Sequence, residues 1–584
     1  MHHRHRLAAV WLCALATWAA IPADAPDAPI AEAAMRGDTD GVRALIEGGA
    51  DVNAALGDGM TALHWAAERG DANLAALLLA AGAEVEPTTR LGAYRPLHLA
   101  ARGGHAPVLG ALLTAGADAG AATATGGVTP LHMAAASGSA ASVALLVAHG
   151  ADVDRRETAW GQTALMFAAA EGRFEAIGAL LDAGADPDLV AHVLDMPTRE
   201  SYDREDLAFR SDRILALALG APVEPRVSPD LPPGGPAATG TGPVDVEEEA
   251  EAREREPQPL SYADLIGGYG GLSALHLAVR EGHAEAATAL LDGGSNVNRA
   301  SDGDHTSPLL MALINGHFDL AMALFERGAD PTIASDAGAT PLYAAVNTEW
   351  IPKSRHPQPT HRLQQETTYL ELMQAFLEAG ADPDARLTKK LWFTTFGNDY
   401  LGVDRTGATP FWRAAYALDV EAMRLLVSYG ADPHIPTAKA PTRRPDPEED
   451  PSGLPPVPIG GPAVWPIHAA SGAGYGEGYA ANIHRHVPDA WMPAVKYLVE
   501  EAGADVNARD LNGYSAVHHA ASRGDDELIL YLVEQGADVT GVSRRGQTTV
   551  DMANSPVQRI TPFPSTISLL EGLGAKNNHN CVIC

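Results

Sequence analysis

The last residues of the sequence hold the densest reactive chemistry, with Cys581 and Cys584 in a C-x-x-C pattern and His579 just ahead of them. In an oxidising compartment such a pair forms a reducible loop disulfide or a thiol pair for a metal or a partner. His579 would add a third donor to a tetrahedral site whose remaining ligand another chain must supply. The same residues have the C-a-a-X shape of a prenylation box, which makes sense only in a eukaryotic cytosol. A second pair of metal-capable donors, His484 and His486, stands on an expected loop. Just before it, Gly474, Gly476 and Gly478 repeat every second residue, but they follow a helix and lack the lysine of a phosphate-binding loop. Aromatic residues crowd the same region. Trp392, Phe393, Tyr400, Tyr475, Tyr479 and Trp491, together with His484 and His486, are candidates for partner recognition, because aromatic side chains dominate interface hot spots. The alternative is that Trp392, Phe396 and Trp412 form a small satellite core under a long loop. Catalysis finds no support: there is no G-x-S-x-G, no H-E-x-x-H and no cysteine beside an evident base, so neither an enzyme nor a cofactor is expected.

The elements that must position these residues come from a repeat. A T-x-L-H element places its fourth residue at His64, His98, His132 and Met166, in steps of 34, and resumes at His276, Leu310, Tyr343, Trp412, His468, His518 and Asp551. A period in the low thirties means stacked helix pairs, none of which can bury its apolar face alone. Within one copy Thr61 is the expected N-cap, accepting from a free backbone N–H, and Leu63, Ala66 and Ala67 face inward. Thr129 does the same work two copies later. Proline takes the first helical position at 96, 130, 308, 341 and 410, where its missing N–H costs nothing. Gly70 ends the first helix, Leu74, Leu77 and Leu78 mark the second, and Gly82 supplies a left-handed cap before a hairpin-like finger.

These residues closely resemble the ankyrin repeat, whose pattern is T-P-L-H-x-A-A, then L-L, then G-A-D-x-N. The resemblance runs from Pro29 to Lys576 and implies an all-α solenoid of stacked helix pairs with β-hairpin-like fingers, about 12 units including caps. It also implies that the histidines at 64, 98, 132, 276, 468 and 518 tie neighbouring turns together and have a structural use. The first copy, starting at Ile30, and the last, at Thr548-Thr549-Val550-Asp551, depart from the pattern as capping units would.

Composition fits that expectation. Of 584 residues 46% are hydrophobic but only 6% aromatic, so the core is built from Ala and Leu. The formal net charge of -33 repels phosphate backbones, which argues against nucleic acid as a partner. At the N-terminus, Arg4 and Arg6 precede an apolar run from Leu7 to Ile21, too short to span a bilayer and followed by small residues suited to cleavage after Ala23. Residues 1–23 are therefore expected to be a signal peptide, and the chain an exported, periplasmic or secreted bacterial protein with no membrane span once mature. The repeats divide into a front block, 27–188, and a rear block, 269–576. Between them lies an insertion, 189–268, with an expected helix near Arg204 to Leu219 and then a Pro/Gly-rich and acidic stretch expected to be disordered. Smaller inserts fall near 347–366, 387–404, 437–460 and 473–490, and 577–584 forms the Cys-x-x-Cys tail.

Insertions on a rigid scaffold are where binding function usually lives. The reading that follows is a monomeric, non-enzymatic scaffold acting outside the cytoplasm. It would bind a protein partner through its concave face and the rear-block inserts. Two alternatives stand beside it: a redox-active or metal-binding accessory protein using the terminal Cys pair, and a secreted host-directed effector.

Overall fold

A computed structural model describes residues 28–218, 257–353, 360–395, 402–442, 450–475, 483–555 and 561–580. The chain falls into two compact units, Met1–Ala191 with Glu285–Ser295, and His192–Ala284 with Asn296–Cys584. Each is a stack of short antiparallel helix pairs. The front unit contains the pairs Pro29–Arg36/Thr39–Glu47, Ala62–Arg69/Ala72–Ala80, Pro96–Arg102/Ala106–Thr114, Pro130–Ser137/Ala140–Ala148 and Ala164–Ala170/Phe174–Asp182. The rear unit continues from Ala274–Glu281 through Pro308–Asn315/Phe318–Glu326 and Pro341–Glu349/Tyr369–Glu378 to Pro410–Tyr416/Val420–Ser428. It then runs through Pro466–Ser471/Trp491–Lys496 and Ala516–Ala521/Asp526–Glu534 to Thr549–Ala553/Pro564–Gly572.

Local chemistry explains why these pairs form. Gly70 adopts φ +69° and Gly82 φ +86°, the left-handed conformation in which any Cβ would be strained, so one helix stops and the chain reverses at each. Between the helices the core is almost entirely Ala and Leu, with Leu63, Ala66, Ala67, Leu74 and Leu78 all at 1% exposure or less. Small side chains let successive pairs stack closely, and the apolar area they remove from water is the main stabilising term. The fingers are joined by a ladder of backbone hydrogen bonds from one repeat to the next. Arg90 N–H donates to Asp58 C=O, Ala124 to Gly92 and Thr158 to Gly126 in the front unit, and Asp336 to Asp304, Ala438 to Thr406 and Arg544 to Asn512 in the rear.

The helix start differs from the expectation in an orderly way. Thr61 caps as one half of a reciprocal box rather than alone: its hydroxyl faces the His64 backbone N–H, its own N–H donates to His64 Nδ1 at 3.1 Å, and the hydroxyl lies 3.0 Å from the same ring nitrogen. Thr129, Ser273 and Ser515 pair with His132, His276 and His518 in the same manner. Where the histidine is replaced, the hydroxyl returns to the backbone, accepting from the N–H of Met166, Leu310, Tyr343 and Trp412 at 3.1–3.4 Å. The unprotonated Nδ1 takes the hydroxyl hydrogen, which leaves the oxygen lone pairs facing the backbone N–H.

The large insertion has an ordered base. Val193–Asp195 pairs antiparallel with Gly268–Gly270, so its two ends meet in a short ribbon. Its helix spans Met196–Ala218, beginning eight residues before the expected start, because Asp195 accepts from the Thr198 N–H at 2.8 Å and so caps the chain there. The acidic, proline-rich half of the insertion lies outside the described residues.

Another insert, following the helix Val420–Ser428, forms an arm. Thr437 N–H donates to Val464 C=O and Ala463 N–H back to Thr437, while Lys439 N–H reaches Gly461. Arg544, from a finger two repeats on, holds the outer part of the arm through the Asp450 carboxylate and the carbonyls of Leu454 and Pro455. Replacing Arg544 with alanine is expected to speed proteolytic cleavage between 450 and 457 several-fold. Global stability should change by only about 1 kcal/mol, since a partly solvated ion pair contributes little. Limited proteolysis with mass mapping reads the first, and urea denaturation the second.

Candidate functional sites

The repeat histidines come first because they set the geometry of everything around them. His64, His98, His132, His276, His468 and His518 are each 0% exposed. In each, Nδ1 accepts the N–H of the residue three before it, so Nε2 must carry the proton and donates to a carbonyl of the following finger. The acceptors are Tyr94, Ala121, Gln162, Thr306, Ala508 and Gly541, at 2.9–3.1 Å. This requires a neutral ring. Burial lowers all six below the ordinary value, His98, His276 and His468 to about 4 and His518 to about 3. They are structural ties, as the repeat resemblance implies. Trp412 preserves the tie with different chemistry, its indole Nε1 donating to Val464 C=O at 2.8 Å.

The residue after each tie lines the inner groove, and in the front unit that groove is open. Trp65 and Leu99, one repeat apart, face finger residues Met60, Tyr94 and Leu91 across it, with Asp58, Glu68 and Arg102 at its edges. Arg102 pairs with Glu68 at 2.7 Å. Met133 and Phe167 continue the same register at half-buried positions. Two finger tips leave large apolar side chains in water: Leu91 is 85% exposed and Trp160 51%. Neither tip is loose. Thr89 Oγ1 donates to Leu91 C=O and accepts from Tyr94 N–H, and the buried Glu157 carboxylate accepts from the N–H groups of Ala159, Trp160 and Gln162. Rigid loops thus hold these two apolar side chains outward. The inserts draw attention in the sequence, whereas the front copies keep step and read as plain scaffold. A leucine and a tryptophan at finger tips, where turn residues are ordinarily polar, were the available signal.

In the rear unit the inserts turn inward. Tyr475, His484, His486 and Trp491, four of the residues singled out for recognition, come together in one cluster. His484 stacks on Tyr416 with ring centroids 4.3 Å apart, His486 lies 5.1 Å from His484 and 4.8 Å from Trp491, and Tyr475 meets Trp491 edge-on at 5.4 Å. The Arg523 guanidinium covers the Trp491 ring at 3.4 Å. The strap carrying the two histidines is pinned at both ends, by Lys353 N–H to Ile483 C=O and by Val487 N–H to Ala417 C=O. Burial and the neighbouring His486, Arg413 and Arg523 charges push His484 well below its ordinary pKa. Among the described residues no group of three or more His, Cys, Asp or Glu side chains is arranged to hold a metal. His484 and His486 pack as rings against Tyr416 and Trp491.

Beneath the strap, Asp419 gathers three donors: the Trp350 indole at 2.9 Å, the Tyr369 hydroxyl at 2.6 Å and the Ala422 N–H at 3.0 Å. Close by, the fully buried Arg413 donates to Asn347 Oδ1 and Trp350 C=O, and burial lowers it to about 10. Trp392 and Phe393 are placed apart from this cluster. Trp392 packs on Tyr269 at 6.4 Å and on Phe393 at 5.9 Å, while Lys389 Nζ donates to Asp264 C=O, so this insert is fastened to the base of the large insertion. Trp412 sits instead in the core of its own repeat, while Trp392 and Phe393 are half-buried and Tyr269 is exposed, so these three form an aromatic contact at the surface rather than a satellite core. Tyr400, Tyr479, Phe396, Cys581 and Cys584 lie outside the described residues. His579 is exposed on a turn whose N–H is held by Asn577. No helix among the described residues is long and apolar enough to cross a membrane.

Comparison with known proteins agrees with this geometry. A family model described as ankyrin repeats in three copies matches residues 97–191 and 263–335, and one described as ankyrin repeats in many copies matches 30–79 and 480–533. Among curated proteins, the ankyrin repeat and SAM domain-containing protein 6 of Rattus norvegicus is 40% identical over 62 residues, 10% of this chain and 7% of its own length. The protein phosphatase 1 regulatory subunit 12A of Mus musculus is 33% identical over 90 residues, 15% of this chain and 8% of its own. The putative ankyrin repeat protein R886 of Acanthamoeba polyphaga mimivirus is 31% identical over 62 residues, 11% and 45% respectively. The chain therefore spans less than a tenth of the first two relatives.

Proposed function

Because this chain is an ankyrin repeat protein, an all-α stack of a kind that generally serves as a protein-binding scaffold rather than an enzyme, we propose that it holds a protein partner in the open groove of its front unit. The observation that carries this reading is the pairing of two rigidly held, water-exposed apolar finger tips, Leu91 and Trp160, with the inner-helix register Trp65, Leu99, Met133 and Phe167. One relative is named as a regulatory subunit, a protein defined by what it assembles with. The rear inserts enter the reading as braces. Their aromatic rings are spent largely on one another, and the rigidity they confer keeps the rear repeats from acting as a second open groove.

The site of action we propose is outside the cytoplasm, on the strength of the basic and apolar N-terminal segment followed by small residues. Cell fractionation, with the mass of the mature N-terminus, tests that part alone.

The binding reading is tested by immobilising the full mature chain and its Leu91→Ala/Trp160→Ala form against extracts of the producing organism. A partner recovered by the first should bind the double variant roughly 100-fold more weakly, as expected for two truncated hot spots. Undiminished binding of every recovered partner by the double variant would remove the front groove from consideration.

A further inference from the structure

Residues 483–487 cross the rear unit as a strap that turns His484 into the interior, where it is 8% exposed. Neither of its ring nitrogens makes a hydrogen bond among the described residues. What holds the ring is packing: Tyr416 stacks on it at 4.3 Å, and Tyr475 and Trp491 meet it edge-on at 6.1 and 6.2 Å. An unmatched imidazole in such a place is tolerated neutral and costs far more as an imidazolium, which calls for acceptors or an anion. Packing asks only for a ring, which a phenylalanine would supply.

The charged groups that face His484 are of one sign. The helix Pro410–Tyr416 brings the fully buried Arg413, the turn after Ala516–Ala521 brings Arg523, and the strap itself brings His486. The helix Trp491–Lys496 presents its indole, while Lys496 turns away over the Tyr531 ring. Arg485, the other cation of the strap, lies toward Arg362, which Glu349 matches. The carboxylates nearby are engaged elsewhere, Asp419 with Trp350 and Tyr369, Asp525 with Arg523, and Asp489 on the side of His486. The Tyr416 carbonyl favours a charged ring but is outweighed. Two guanidiniums repel a metal ion as they repel a proton, so this setting is poor for a metal and sensitive to protonation.

We propose that the strap is an acid-released latch: a proton on His484 is accommodated when residues 483–487 lift into water and refused while they are seated, so acidification favours the lifted form and bares the Tyr416, Tyr475 and Trp491 rings. Burial and the surrounding charges hold the seated ring well below its ordinary value, whereas the lifted ring titrates near 6.5. Below pH 6.5 the lifted form therefore gains about ten-fold per pH unit, or about 30-fold between pH 7.5 and 5. The backbone holds the strap lightly, by Lys353 N–H to Ile483 C=O at one end and Val487 N–H to Ala417 C=O at the other. The latch involves neither the front groove nor the tie histidines.

Hydrogen exchange of the full chain at pH 7.5, 6 and 5, read by mass spectrometry and corrected for the intrinsic rate, tests it. Protection over 483–495 is expected to fall about 30-fold across this range in the wild type and no more than about three-fold in His484→Phe, which keeps a ring on Tyr416 and takes up no proton. The two proteins should differ in this segment alone. An equal fall in both, or a difference spread over the tie-bearing helices, would overturn the inference. Histidine C2 exchange in the unmodified chain gives a second reading, in which His484 is expected to titrate below the exposed His579. A midpoint equal to that of His579 would overturn the inference as well. Should His484→Phe fail to fold, this comparison decides it, together with a steeper wild-type fall over 483–495 than over 410–428.

Discussion

Acidification from pH 6.5 to 4 is expected to unfold this protein, with most of the loss owed to the buried ties. The six tie histidines are neutral in the folded state because Nδ1 must stay unprotonated to accept the backbone N–H. Their folded pKa values are depressed, so below pH 6.5 the unfolded chain binds protons that the folded chain refuses, and stability falls as pH falls. For His98, His276 and His468, held at about 4, the penalty at pH 4 is about 3 kcal/mol each, and His518, at about 3, gives slightly more. Four such sites together match the roughly 5–15 kcal/mol that stabilises a typical domain. Relief of acidic self-repulsion works in the other direction over the upper part of this range, since the chain begins at -33. The net curve should therefore be shallow near pH 6 and steep below 5. Urea denaturation followed by circular dichroism at half-unit pH steps measures it. The sequence contains its own control: Leu310 fills a tie position with Ser307 capping the backbone, so His276→Leu should fold with Ser273 in that role and show a flatter pH dependence than the wild type. Identical slopes for the two proteins would show that the ties are not the titrating groups.

The second large effect centres on Asp419. It is 2% exposed, starts the helix Val420–Ser428, and accepts from Trp350 and Tyr369, which belong to the insert and helix that precede it by some fifty to seventy positions. Alanine there would leave an indole N–H, a phenol and a helix N-terminus unmatched in the interior. Hydrogen bonds to a charged group contribute about 1.5–3 kcal/mol each and a lost cap about 1, so Asp419→Ala is expected to destabilise the rear unit by about 4 kcal/mol. Asp419→Asn keeps one acceptor oxygen and should lose roughly half as much. Hydrogen exchange read by mass spectrometry should show faster exchange in 341–378 and 410–428 before it rises in the front unit. A loss spread evenly over both units would contradict this placement.

Much of the fold was legible in the sequence because one short pattern is repeated so often. T-x-L-H, the prolines at the first helical position and the glycines at the caps each carry a backbone requirement that few other residues meet, so Gly82 or Pro130 identifies its position almost alone. The hydroxyl at Thr61 was legible as a cap, but its second partner was not, for a definite reason. Capping rules consider the hydroxyl oxygen as acceptor for a backbone N–H, and a histidine three residues on takes the hydroxyl hydrogen on Nδ1 only once the ring is folded back over it. The inserts were legible as insertions by counting, but not in their direction. Trp392 could be displayed or packed; the choice depends on Tyr269, which lies more than a hundred residues away and shares no periodic relation with it. His484 and His486 read as solvent-facing donors on a loop, and only the placement of Tyr416 and Trp491 turns them into stacked rings. The Asp510–His519 pair is invisible to spacing, since nine residues along the chain become 3.1 Å through a finger that folds back on its own helix.

The exchange of histidine for other residues at the tie also grades how firmly neighbouring repeats are coupled. In a linear array where each unit interacts only with the next, stability is a sum of intrinsic terms and nearest-neighbour couplings, and opening starts at the weakest coupling. His276 spends its Nε2 on the next finger, and so does Trp412 with its indole, whereas the Leu310 side chain has no hydrogen-bonding atom to spend. The junction between the repeat of Leu310 and the finger that follows it thus forms a fault line inside the rear array. Pulled from its ends or offered to a protease, the chain would part there first and leave the better-tied repeats on either side standing.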